Sequence, residues 1–436
     1  DIEGAMSQFE KALEKDAGFT PALRWLGIIF YKTGKIEEAL RLFERALKRD
    51  EDDQTARYYR ALCKMTLGIS ERTEEDLSMV SRRAAYRHIA PYVLASLEFA
   101  KKNYEEAKSL LKKALRNNPD DVKASVMLAA ADRHLGRTSE AEMLLSEILA
   151  KNPIDSLALI EKKILSGNSE LEILRSDPEY YLEAASDYSE MNLIGDAAQT
   201  LKFYFESKNP RQYPILYYYL GYFMSRLGQK EEAEEFFKKA ASFDPRFVFP
   251  FRVETERVLK VALKHNASDW KARYYLGNLL TAKLRWKEGL GHFEKAAESS
   301  PPFAELYRNL GEIYWKKFKD YPKAEKMYEK AVAYSGEDYR LHVTLDELYA
   351  INRKHSEREK LYKAAPQKVK DNFNYVLKRA QYYLDTGSYS EALKILQTHT
   401  FLPWEGWTGA REVYVLSSLK RAFSYLKEGK YEEARR

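Results

Sequence analysis

The sequence predicts an all-α solenoid of stacked helical hairpins, and three observations carry that prediction. One residue pattern recurs: Leu26-Gly27, Phe30, Gly34, Ala39, Phe43 and Ala46 return at identical spacing as Leu220-Gly221, Met224, Gly228, Ala233, Phe237 and Ala240. Glycine (19) and proline (14) are scarce in 436 residues, which disfavours turn-rich all-β folds. The chain also exceeds the ~250–300 residues at which a single core stops growing, yet its composition does not shift along its length.

Each hairpin follows from close packing. Large apolar residues three and four apart place one stripe on each helix. Gly27, Gly221 and Gly277 fall inside a helix, where glycine costs about 1 kcal/mol relative to alanine. A close approach by the partner helix explains that cost, and Ala39, Ala46, Ala233 and Ala240 serve the same contact from the other side. Gly34 and Gly228 end first helices, and Pro119, Pro153, Pro245 and Pro301 mark exits from second helices.

In chain order, a partial second helix, Asp1–Asp16, precedes units that begin near Thr20, Gln54, His88, Val122, Pro178, Pro214, Trp270, Ala304, Tyr339 and Phe373. Regular neighbours such as Thr20 and Gln54 lie 34 residues apart. The match is weaker at Gln54, where Thr73 and Leu77 take the Ala and Phe positions. Two stretches break the frame: 22 residues over Ser156–Asp177 and 24 over Arg246–Asp269. The second carries a helix, Val253–Lys264, after the aromatic approach Phe247-Val248-Phe249-Pro250-Phe251. Both should bend a single continuous array spanning 1–436. The opening Asp1-Ile2-Glu3 and the ending inside a hairpin predict a fragment truncated at both ends. On that reading Val415, Leu419, Ala422 and Leu426 of the last first helix stay partly exposed.

This pattern resembles the tetratricopeptide repeat, with about ten to eleven units covering most of the chain. The resemblance implies a right-handed superhelical α-solenoid whose concave face is lined by first helices at positions two, five, nine and twelve of each unit. Position five gives Arg24, Tyr58, Tyr92, Tyr218, Tyr274 and Arg308; position nine gives Ile28, Leu62, Tyr222 and Asn278; position twelve gives Tyr31, Met65, Phe99 and Trp315. Tyrosine and arginine supply much interface energy at small entropic cost, so these positions predict a groove for a protein or peptide partner. Members that clamp chaperone tails carry Lys at position five with Asn at nine. Tyr274 with Asn278 lacks that charge, which argues against this ligand.

A finer resemblance runs through Phe249-Pro250-Phe251-Arg252, Ala272–Leu280 and Phe401-Leu402-Pro403-Trp404-Glu405-Gly406. It is similar to the repeat region of large bacterial proteins in which a β-rich N-terminal domain precedes the repeats. Leu402 and Trp407 replace that family's His and second Gly. The resemblance implies that the partner could be the chain's own missing N-terminal domain, and that any catalysis would lie there.

Chemistry-bearing motifs are sparse. The seven histidines are scattered without a His-Glu-x-x-His stretch, no phosphate loop occurs, and lone Cys63 excludes disulfides and multi-Cys zinc sites. No cofactor or metal site is predicted, and the segment reads as non-enzymatic. A net charge of +6 from 72 basic and 66 acidic residues, interleaved, gives no basic surface for nucleic acid. No apolar run reaches the roughly 18 residues of a membrane span. Phe401, Trp404, Glu405 and Trp407 allow one alternative: an aromatic loop that stacks a sugar, in the accessory region of a carbohydrate-active enzyme. Burial of those aromatics against neighbouring helices competes with that reading.

Overall fold

A computed structural model describes residues 1–167, 171–174, 177–207, 210–399 and 409–435. Among the described residues every regular element is helical, and the chain is an all-α repeat solenoid. It forms two compact units, Asp1–Arg285 and Trp286–Arg436.

The first unit comprises α1 (Ile2–Lys15), α2 (Thr20–Lys32), α3 (Ile36–Arg49), α4 (Gln54–Leu67), α5 (Thr73–Val80), α6 (Ile89–Ala100), α7 (Tyr104–Asn117) and α8 (Val122–His134). It continues through α9 (Thr138–Lys151), α10 (Ser156–Ser166), α11 (Pro178–Glu190), α12 (Ile194–Glu206), α13 (Pro214–Arg226), α14 (Lys230–Ser242), α15 (Thr255–His265) and α16 (Trp270–Ala282). The second holds α17 (Trp286–Ala297), α18 (Ala304–Ile313), α19 (Tyr321–Tyr334), α20 (Tyr339–Ile351), α21 (His355–Ala364), α22 (Gln367–Lys370), α23 (Phe373–Asp385), α24 (Tyr389–Thr398), α25 (Gly409–Lys427) and α26 (Tyr431–Arg435).

The glycines inside first helices are explained by a ring. A Cβ on Gly27 would lie 2.8 Å from the Phe43 ring, and one on Gly221 would lie 2.7 Å from Phe237. Those phenylalanines are fully or almost fully buried, so the recurring Gly and Phe form one contact. Each first helix is also closed by a turn residue in the left-handed region. Gly34, Gly68, Gly136, Gly228 and Gly387 fill that place, but Lys102, Asn192, Leu284 and Arg353 hold it with φ between 58° and 63°. The turn is therefore imposed by hairpin packing even where the side chain opposes it.

Several first helices begin with an aspartate cap. Asp53, Asp121, Asp155 and Asp269 accept backbone amides of α4, α8, α10 and α16, each cap contributing about 1 kcal/mol. The irregular stretch after Ser156 supplies α10 and a short 3-10 helix, Leu171–Leu174, in place of a regular second helix. On α25, Val415, Leu419 and Leu426 are 45%, 55% and 47% exposed, as the sequence predicts.

Candidate functional site

In the first unit, two position-five side chains, Arg24 and Tyr218, reach the cap of a later first helix. Arg24 Nη1 lies 2.9 Å from Asp53 Oδ2, while Asp53 Oδ1 accepts the Ala56 amide. Tyr218 is fully buried and donates its hydroxyl to Asp269 Oδ2 at 2.8 Å; Asp269 Oδ1 accepts the Lys271 and Ala272 amides. Tyr58 is buried against the rings of Tyr59 and Tyr86. Tyr222 and Tyr274 are buried too, the latter packing its ring on Tyr275, while Asn278 is partly exposed. Tyr58, Tyr218, Tyr222 and Tyr274 thus spend their surface on the fold itself, because each first helix is covered by its neighbours.

Tyr31 and Tyr92 keep partial exposure but lie close enough to carboxylates at the end of α11 to feel their charge, Glu190 for both and Asp187 for Tyr92. The segment from α10 to α12 is tied to the earlier first helices α6 and α8. Asn192 Nδ2 donates to the Ser96 carbonyl at 3.1 Å, Lys123 pairs with Asp187, and Arg133 bridges Glu161 at 2.8 Å and Asp196 at 3.0 Å. Tyr188 donates to Glu161, and His134 Nε2 lies 3.1 Å from Asp196. Arg257 meanwhile donates to the Thr66 carbonyl, and Arg285 pairs with Glu256 beside Gly34. Both irregular stretches therefore bring sequence-distant hairpins together, where the sequence predicts bends alone.

Glu190 sits at the centre of this region. It is exposed to solvent at the end of α11, with the Asp187 and Glu254 carboxylates and the Lys123 and Arg252 cations near it. Burial first, and then the nearby Asp187 carboxylate, raise it to about 7, with Lys123 and Arg252 opposing and Glu254 adding to the rise. Burial also raises Tyr31 to about 12 and pushes Tyr92 further up, Asp187 and Glu190 reinforcing the latter shift. Cys63 is buried, its thiol pushed up to about 12 by burial, which suits packing and not nucleophilic chemistry.

The second unit offers an open cleft of about 550 Å³. Tyr339, Arg340, Val343 and Thr344 of α20 line it, with Asn374, Leu377, Lys378 and Gln381 of α23 and Gly409, Glu412, Val413 and Leu416 of α25. Arg340, Val343, Asn374, Leu377 and Gln381 stand at positions two, five, two, five and nine of units starting at Tyr339 and Phe373. These repeat positions fall on the cleft, and its floor is aliphatic where tyrosine and arginine are the expected markers. Two cations at the cleft are already neutralised: Arg340 chelates Asp338 at 2.9 and 3.0 Å, and Lys378 pairs with Glu347. Of the predicted residues in this unit, Arg308 binds the Asn309 side chain and Trp315 lies partly exposed in a π-helical turn, Tyr314–Phe318; neither lines the cleft. Phe401, Trp404, Glu405 and Trp407 lie outside the described residues.

Among the described residues no group of three His, Cys, Asp or Glu is placed to hold a metal ion, and no helix is long and apolar enough to cross a membrane. Two tetratricopeptide-repeat family models match the chain, one over residues 1–64 and 98–159, the other over 215–247 and 304–338. A TPR repeat-containing protein of Methanocaldococcus jannaschii is 26% identical over 158 residues, covering 34% of this chain; the match spans 28% of that relative's length. A tetratricopeptide repeat protein from Parabacteroides merdae has a TM-score of 0.38 at 22% identity, over 60% of this chain and 93% of that one. The pilF protein of Pseudomonas aeruginosa has a TM-score of 0.30 at 15% identity, over 52% and 92%. With the Gly–Phe contact, the recurrent turn and these family matches together, the chain is a tetratricopeptide-repeat protein.

Proposed function

We propose that the chain is a non-catalytic scaffold that grips an extended segment of a protein partner in the cleft of its second unit. The partner is a separate protein or another part of the same polypeptide. One observation carries this reading: three consecutive first helices, α20, α23 and α25, present an aliphatic floor of Val343, Leu377, Val413 and Leu416 between polar residues. An extended chain leaves its own amides and carbonyls unpaired, and the side-chain amides of Asn374 and Gln381 supply donors and acceptors beside that floor. The repeat family's role as a protein-interaction scaffold agrees with it.

Selection of a displayed random-peptide library on the intact chain tests the proposal. Enriched peptides should bind at least tenfold more weakly to Leu416→Asp and to Gln381→Ala, with unchanged helical circular dichroism. Leu416 is 47% exposed, so its substitution leaves the core intact. Peptides that bind both variants as well as the parent would sink the cleft as the binding site.

A further inference from the structure

Most arginines of the first unit are engaged by the chain itself. Arg60 pairs with Asp76, Arg137 with Glu105 and Arg246 with Asp244, while Arg257 and Arg273 donate to backbone carbonyls. The loop between α5 and α6 departs from this. Arg82, Arg83 and Arg87 are exposed there and make no ion pair or side-chain hydrogen bond to any described residue. The sequence between Asp76 and Glu98 holds no carboxylate side chain, so nothing within the loop can neutralise them. Where α4, α8, α10 and α16 follow an aspartate cap, α6 follows His88, which makes no side-chain cap bond. The loop before α4, Asp50–Asp53, is acidic, yet none of its carboxylates pairs with the three arginines.

The backbone that carries these cations is fastened. A 3-10 helix, Ala84–Tyr86, occupies the middle of the loop, and the Arg83 amide donates to the Val80 carbonyl at 2.9 Å. Tyr86 packs its ring 5.0 Å from that of Tyr58 and donates its hydroxyl to Thr55 at 2.9 Å. A backbone held in this way loses little freedom when a ligand binds. Each guanidinium offers paired N–H donors that match the two oxygens of a carboxylate. Met79 and Ile89, on either side of the arginines in sequence, are exposed as well, which suits a ligand with apolar side chains among its acidic ones. Nucleic acid fits less well, because bases stack on open rings and Tyr86, the loop's one ring, is spent on Tyr58. Three arginines also fall short of the ~4–8 cations that hold an anionic lipid surface.

We propose that the loop between α5 and α6 docks an acidic segment of a protein partner through Arg82, Arg83 and Arg87, and that it does so without the second unit's cleft. A fluorescent peptide of glutamates interspersed with leucines tests this by anisotropy on the full chain at low salt, where exposed charges are least screened. A triple variant, Arg82→Gln with Arg83→Gln and Arg87→Gln, should bind it at least tenfold more weakly while keeping its helical circular dichroism. A second triple variant removes equal charge from exposed sites elsewhere, Lys295→Gln with Lys326→Gln and Lys394→Gln, and should bind like the parent. The same peptide with glutamine for glutamate should not bind the parent. Failure of the parent to bind the acidic peptide, or equal weakening in both triple variants, would overturn the site, the latter by showing attraction to net charge alone. A single-stranded oligonucleotide that binds the parent more tightly than the peptide, and is lost in the arginine variant, would overturn the acidic partner in favour of nucleic acid.

Discussion

Replacing Glu190 by glutamine should make the first unit more stable at alkaline pH and leave it unchanged in acid. The carboxyl is raised from 4.5 to about 7, by burial first and by Asp187 next. Its folded value therefore exceeds its unfolded value, and the folded chain holds the proton more tightly. The advantage of the protonated form is complete below about pH 4.5 and is lost as the pH climbs through 7. A shift of that size corresponds to at most about 3.4 kcal/mol. Glu190 is exposed to solvent, so screening reduces the expected gain to about 1 kcal/mol or less. Glutamine imitates the neutral acid in shape and polarity, so Glu190→Gln should equal the parent at pH 4 and exceed it at pH 8. Urea titration followed by circular dichroism measures the difference. Amide exchange in α11 reports it locally, because repeat arrays open piecewise. Matching stability curves across that range, or a variant weaker at pH 8, would refute the placement of Glu190 among like charges.

Gly221→Ala should destabilise the first unit by about 1–3 kcal/mol in thermal or urea unfolding, because the new methyl meets the Phe237 ring at 2.7 Å. Tyr218→Phe removes the hydroxyl that Asp269 accepts at 2.8 Å and should cost about 1–3 kcal/mol in the same assays. Asp346→Ala strips the buried Arg358 of a carboxylate held at 2.7 and 2.9 Å and should cost the second unit about 3–5 kcal/mol, seen as early loss of its amide protection.

The fold is legible because its determinants are local. Gly27 and Phe43 belong to one hairpin, and the left-handed turn closing most first helices falls at one place in the unit, shifted by one residue to Lys319 where a π-helical turn ends α18. Lys102, Asn192, Leu284 and Arg353 show that this place outlasts its glycine, so counting along the repeat finds the turn where composition does not. The long-range contacts of the first unit are not legible in the same way. Asn192 meets a carbonyl 96 residues away, and Arg257 one 191 residues away. Such contacts leave no periodic trace. The tyrosines at positions five and nine mislead for a related reason: residue type suggests an interface, but neighbouring helices decide whether the ring is covered, as Tyr218 and Tyr274 are.

Position five nevertheless follows a rule with a testable consequence. Arg24 reaches the cap aspartate 29 residues later, and Tyr218 reaches the cap of α16. Tyr92 lies close enough to Asp121 to feel its charge, and Arg308 likewise lies near Asp338. Where a following first helix carries an aspartate cap, a long polar side chain at position five thus lies near it, by a hydrogen bond for Arg24 and Tyr218 and by proximity for Tyr92 and Arg308. Val343 is short and apolar, and the cap that follows it is Asn372, so the space there stays open as the cleft. Installing the missing pair, Val343→Arg with Asn372→Asp, should fill the cleft's floor. The two changes together should be more stable than their separate effects predict, by about 0.5–1 kcal/mol of coupling in a double-mutant cycle. The same protein should lose at least tenfold in affinity for any peptide that the parent's cleft selects. Full affinity in a variant that shows the coupling would mean that the open floor is not what recognises the partner.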